Sequence, residues 1–163
     1  MSADQEDRED PPAGAPLTPQ RAFVDAVPHN RALGMEVVSM DRSGAVFRLP
    51  YRAELVGNPE TGVLHGGVVT ALLDACSGAA VFASLPRLAP IATLDLRVDF
   101  LRAAVPGREL LAHATCYRLT RNVAFTRAVA YHDDRDAPIA ASVGTFMLGT
   151  RRGAGRPAGG GSR

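Results

Sequence analysis

Lysine is missing from the 163-residue sequence. All eighteen basic residues are arginine, and against seventeen acidic residues they leave a net charge of +1. The bias reads as a compositional habit of the source and carries no mechanism. Cysteine is scarce as well: Cys76 and Cys116 stand alone in apolar settings without CxxC spacing, which argues against a disulfide framework or a zinc site. The start of the chain has no apolar secretory segment, so the expectation is a reduced, cytoplasmic protein. Long apolar runs are few. The longest, within residues 68 to 83, is interrupted by Asp74, Ser77 and Gly78 and is expected to be a buried helix that falls short of a bilayer span. Internal repeats and βαβ alternation are both absent, which excludes solenoids and doubly wound parallel sheets.

With 46% hydrophobic residues, the chain can bury the core of one domain. Its ends cannot contribute to it. The opening MSADQEDRED is acidic, and the closing RRGAGRPAGGGSR carries four arginines among glycines; both have too little apolar surface to offset the cost of ordering. The expected organisation is a flexible acidic tail over 1–19, one domain over 20–150 and a flexible Gly/Arg-rich tail over 151–163. A short basic tail of this kind is a solvated one, and neither nucleic acid nor membrane is assigned as a partner.

Within the domain, RAFVDAVPHNRA predicts a short amphipathic helix over about 21 to 32 that breaks at Pro28. GMEVVSM and GAVFRLP then predict a strand pair around the turn DRSG. YRAELVGNPETG is a loop that delivers the chain to a long helix over about 66 to 84, ended by Pro86. Beyond it, IATLDLRVDFLRAA alternates with Ala92, Leu94, Leu96, Val98 and Phe100 on one face and Thr93, Asp95, Arg97 and Asp99 on the other. Strands are expected in ELLAHATCYRLT and NVAFTRAVAYHD, joined at Arg121 and Asn122, and again in IAASVGTFMLG. A helix apolar on nearly every side needs wide cover, so the expected class is α+β, with a curved antiparallel sheet wrapped about a central helix.

One helix face is polar. Thr70, Asp74 and Ser77 form a narrow stripe with Gly66 and Gly67 near its upstream end. An unpaired carboxylate in a core helix is costly or is pushed to a higher pKa, which suits a general base or a nucleophile. The competing reading is an interface aspartate satisfied by Thr70, Ser77 or a neighbouring chain. The two glycines leave helix N-terminal N–H groups uncovered for an oxyanion, or they serve a tight turn and close packing. Gly66 and Asp74 are eight residues apart, about 12 Å along a helix, too far to act on two sides of one carbonyl. If both are catalytic, two antiparallel copies of the helix must meet around a twofold axis.

The order of elements, with NPETGVLHGGVVTALLDACSGAA at the helix entry and ATLDLRVDFLRAA on the next strand, resembles the hotdog-fold acyl-CoA thioesterases of the phenylacetate-pathway (PaaI-like) type over about residues 30 to 150. The specific part is HGG with an acid nine positions after the histidine and a Ser or Thr at the start of the following strand. The resemblance implies hydrolysis of an aryl- or short/medium-chain acyl-CoA, with no metal or redox cofactor and CoA present only as part of the substrate. It implies a homodimer or a dimer of dimers. Asp74 matches the catalytic carboxylate, as base or nucleophile. Gly66 N–H matches the donor to the thioester carbonyl across the subunit boundary, Thr93 the hydroxyl that orients water or the carboxylate, and Asn58 the asparagine that supports the HGG loop. His65 and Gly67 belong to that loop. Phe100 is first a core residue and second a lining of the pantetheine channel, and Arg121 and Asn122 are either CoA phosphate contacts or a solvated turn.

Two departures stand out. Asn58 lies seven residues before His65, where the family pattern more often has six, and Thr93 falls on the outward face of its strand unless a bulge turns it. Small residues at Ala75, Gly78, Ala79 and Ala80 leave room for an acyl or aryl group. The rival readings are an acyl-thioester dehydratase or hydratase, which would need a catalytic histidine partner, and a non-hydrolytic acyl-CoA binding or sensing protein of the same fold.

Overall fold

A computed structural model of the chain describes residues 26–149. Helix α1 (Pro28–Leu33) leads into strands β1 (Glu36–Asp41) and β2 (Gly44–Leu49), a 3-10 turn (Ala53–Leu55), and the short strands β3 (Val56–Asn58) and β4 (Val63–Leu64). Helix α2 (Gly66–Ser84) follows, then β5 (Ile91–Phe100), β6 (Leu110–Leu119), β7 (Val123–Tyr131) and β8 (Ala140–Leu148). Six strands make one antiparallel sheet in the order β1-β2-β6-β7-β8-β5, and β3 pairs only with β4. α2 packs chiefly on β6, β2 and β7, giving the expected α+β hotdog architecture of a helix laid across a curved sheet.

Small side chains on the sheet make that packing close. Ala45, Ala112, Ala114, Ala128, Ala130 and Ala140 are all buried beneath the helix, which fills the space with Val68, Val69, Leu72, Leu73, Cys76, Ala79 and Ala80. Leu72 and Leu73 are fully buried, worth about 1.5–3 kcal/mol each in transfer free energy. By length and composition alone, the nineteen residues of α2 are sufficient to cross a membrane, which corrects the expectation that this apolar run falls short of a span. What distinguishes it is the sheet that buries it. Among the other expectations, the two flexible tails lie outside the described residues, as do residues 21–25 of the predicted N-terminal helix. In the described part, Pro28 opens the helix at its first position rather than breaking it; the fixed φ of proline suits that place, and its missing N–H has no helical acceptor to lose. The loop before α2 is also more ordered than its Gly and Pro content suggested, because β3 and β4 pair within it.

One glycine and one histidine fix two of the connections. Gly44 closes the β1–β2 turn at φ 144°, and a Cβ there would stand 2.3 Å from the Ala114 carbonyl oxygen. In the same turn, Asp41 accepts from the Ser43 N–H and hydroxyl, bonds that hold its carboxyl below the usual range. His132 is buried and pins the crossover after β5: its Nε2 accepts from Val105 N–H at 2.9 Å, and its Nδ1 donates to the Glu109 carbonyl at 2.7 Å. Cys76 Sγ donates toward the Ala45 and Ala112 carbonyls, and burial pushes its thiol up to about 12. Cys116 is only half-buried. A thiol-specific disulfide reagent added to native protein at neutral pH is therefore expected to modify Cys116 at least about 100-fold faster than Cys76, with Cys76 reacting only on unfolding. Equal rates by peptide mass mapping would contradict this core placement.

Candidate active site

The polar face of α2 is built differently from a simple stripe. Thr70 turns its hydroxyl back onto the Gly66 carbonyl at 3.1 Å. Ser77 is fully buried, with no hydrogen-bond partner for its hydroxyl among the described residues. Asp74 is half-buried, and neither of these residues satisfies it. Its Oδ1 accepts instead from the Thr93 hydroxyl at 2.9 Å, nineteen residues away on β5.

A bulge makes that bond. The β5–β8 register slips between Thr93 and Asp95, leaving Leu94 as the extra residue. One inserted residue reverses which face the alternation presents, so Thr93 points to the helix on one side of the bulge while Val98 packs on the core beyond it. The expected single face of Ala92, Leu94, Leu96, Val98 and Phe100 is corrected accordingly: Leu94 is 51% exposed. Phe100 is also not a core residue, being 55% exposed, with its ring against Gly66, where a Cβ would come within 3.3 Å of it.

The helix entry is held by a histidine cap. His65 is the N-cap of α2, and its Nδ1 accepts from Gly67 N–H at 2.9 Å. Its carbonyl accepts from Val68 N–H, and its own N–H donates to the Leu55 carbonyl at 2.9 Å. Gly66 N–H, the first of the helix, has no acceptor among the described residues, as expected for a donor at the positive end of a helix dipole. Asn58 stays away from this loop. Its Oδ1 accepts from Glu60 N–H, and its carbonyl accepts from Thr61 and Gly62 N–H, so it organises the turn over 58–62. The support for HGG comes from a residue that sequence reasoning passed over: Gly57 lies so close that a Cβ would stand 2.8 Å from the Cα of His65. The only sequence signal for it was a glycine beside Asn58.

The site residues thus fall into two groups. His65, Gly66, Gly67 and Phe100 gather at the start of α2 and the end of β5; Asp74 and Thr93 meet eight residues further along α2, at the start of β5. Arg121 and Asn122 are exposed at the β6–β7 turn. Asn122 carbonyl accepts from Leu148 N–H, and Leu148 pairs with Ile91, which puts this turn at the same sheet end as Thr93. Asp74 and Thr93 open into a cleft of about 400 Å³ whose other walls are mainly apolar, among them Val27, Ala75, Gly78, Phe82, Ile91 and Phe146. That size is within the range of small-molecule sites. No group of three or more His, Cys, Asp or Glu side chains converges among the described residues.

A model of the thioesterase superfamily matches residues 61–139, the stretch that holds α2, the Asp74–Thr93 pair and strands β5, β6 and β7. The chain is 34% identical to YigI of Escherichia coli, a medium/long-chain acyl-CoA thioesterase, over 78% of this chain and 89% of that protein. Among solved structures, a Pseudomonas aeruginosa protein superposes with a TM-score of 0.72 at 44% identity, covering 78% of this chain and 95% of the other. A mutant of the phenylacetic acid degradation protein PaaI from Thermus thermophilus superposes with a TM-score of 0.65 at 26% identity, covering 74% and 98%.

Replacing Gly57 by alanine drives a Cβ into backbone, with no flexible side chain to give way. The substitution is expected to displace the His65 cap and to lower stability by about 1–3 kcal/mol, the range for overpacking a tight contact. Denaturant titration of Gly57→Ala beside wild type measures it; an unchanged midpoint would show that β3 does not brace the helix entry.

Proposed function

The chain belongs to the thioesterase superfamily, among the hotdog-fold enzymes of the PaaI-like type, and from that premise we propose that it hydrolyses acyl-CoA thioesters with Asp74 as its catalytic carboxylate. The observation that carries this reading is the Thr93–Asp74 hydrogen bond at the mouth of an apolar cleft. Thr93 occupies one lone-pair direction of Oδ1 and fixes the carboxylate's rotation, leaving Oδ2 to take a proton from water.

The reaction balances simply. Water oxygen bonds to the thioester carbonyl carbon while Asp74 accepts the water proton; the tetrahedral oxyanion is held by Gly66 N–H and the positive end of α2. Collapse breaks the C–S bond, and the proton passes to the leaving sulfur, giving free CoA and a carboxylic acid.

Gly66 and Asp74 of one chain are about 12 Å apart along α2, so the oxyanion donor comes from a second copy. Three features support this pairing. β5 is ten residues long and bonded on one side only, to β8, among the described residues. An unpaired edge of that length is a template for another strand. Antiparallel pairing of two β5 strands about a twofold between Leu96 and Arg97 sets Phe100 of one copy, and the Gly66 it touches, beside Thr93 of the other. We assign the homo-oligomer on this geometry, with Phe100 at the shared boundary and Arg121 and Asn122 available for CoA phosphates.

The dehydratase reading is disfavoured because His65 Nδ1 already serves as the helix cap. A binding or sensing protein would keep the cleft without turnover. CoA release from a panel of aryl-, short- and medium-chain acyl-CoAs separates the two. Wild type is expected to hydrolyse at least one class, and Asp74→Asn to lose about 100- to 10,000-fold in kcat with its fold intact, because removing the proton acceptor removes general-base catalysis. Thr93→Val is expected to lower kcat about 10- to 100-fold with little change in KM, since it orients rather than binds. Binding without release by wild type would sink the hydrolase reading.

A further inference from the structure

We infer that the cleft beside Asp74 holds a straight acyl chain running along α2 and that Phe82 sets its maximum length, making the preferred substrates saturated thioesters of about six to eight carbons. The inference rests on the thioesterase reading and extends it to the acyl group. Asp74, Ala75, Gly78 and Phe82 all line the cleft. Their spacing places them on one helix face, in order away from the reacting carbon. Gly78 is buried and offers no side chain to block the path. Ile91 forms part of the opposite wall, and Phe146 is 2% exposed and packs with Val81 and Ala124, so the end of the cleft near Phe82 meets core.

The length follows from two repeat distances. Eight residues of helix separate Asp74 from Phe82, about 12 Å, and the ring of Phe82 takes up part of that span. The ring leans toward the N-terminus of the helix and leaves about 8 Å; bonds of about 1.5 Å at tetrahedral angles advance an extended chain by about 1.25 Å per carbon, which gives room for about six to eight carbons. The mainly apolar wall rewards each methylene that it covers by about a factor of four in affinity. A chain that reaches Phe82 gains all of that benefit, and a longer one must fold back or leave its end in water.

The test is kcat/KM for wild type, Phe82→Ala and Gly78→Val on saturated acyl-CoAs from four to sixteen carbons, with circular dichroism to establish folding. Wild type is expected to peak at about six to eight carbons. In Phe82→Ala, the ratio of the twelve- to the eight-carbon substrate should rise at least about tenfold as the end wall opens. In Gly78→Val, the ratio of the eight- to the four-carbon substrate should fall by a similar factor. Ile91→Ala, which widens the cleft from the strand side, replaces either variant that does not fold. Wild type and variants sharing one chain-length profile would overturn the inference and assign the cleft to this chain's own residues or to a second copy. Release of no CoA from any member would instead overturn the hydrolase reading itself, a result that changes in profile cannot mimic.

Discussion

A nineteen-residue helix with apolar side chains on nearly every face cannot be left in water, and burying it organises the rest of this protein. The sheet meets that requirement with a floor of alanines, so that the leucines and valines of α2 supply the bulk and the backbones approach closely. Once the helix is seated, its register against the sheet settles which residues face away from it. Asp74, Ala75, Gly78 and Phe82 are left facing the cleft that α1 and the start of β5 border.

That seating also divides the chemistry. The helix has one positive end, at Gly66, and its carboxylate sits two turns downstream. A helix dipole falls off within its first turn, so the field that would stabilise an oxyanion does not extend to Asp74 of the same chain. The polarity of the helix and the one free edge of β5 therefore support the same proposal: each chain would supply one donor half and one carboxylate half, at opposite ends of a strand bonded on one side only among the described residues. Two copies related by a twofold would complete two sites at once, which gives oligomerisation a chemical purpose beyond burial.

Local irregularities do the aiming. A regular β5 would turn Thr93 away from the helix; the slip at Leu94 turns it back while leaving the strand bonded to β8. The helix entry shows the same economy. His65 accepts from Gly67 N–H and leaves the Gly66 donor open, while the bare Gly57 backbone lets β3 lie against it. Both devices are small departures from regular geometry placed where a side chain or a backbone N–H must point in one direction.

Much of this was legible before any coordinates. Alternation and turn chemistry marked all six main strands to within a few residues, the widest differences being at β1, which starts two positions after its predicted onset, and at β5, which ends four before its predicted end. Pro86 and the glycines bounded the long helix, and HGG with Asp74 nine residues on marked the chemistry together with the family. What the letters could not carry was anything that depends on contact between distant segments. A bulge is a property of two strands in register, so the turn of Thr93 toward Asp74, which the resemblance implied against the alternation of its strand, was decided by the pairing of β5 with β8. Phe100 moved from core to an exposed position against Gly66 because alternation reports a face and not what covers it. The close approach of Gly57 to His65 was not visible because it depends on backbone separation, which residue type only permits. Sequence alone determined the class of fold and singled out Asp74 as the candidate carboxylate, both from local patterns of apolarity and spacing. Tertiary structure decided what that carboxylate touches and how far the cleft beside it extends, because both are distances between parts of the chain that only packing brings together.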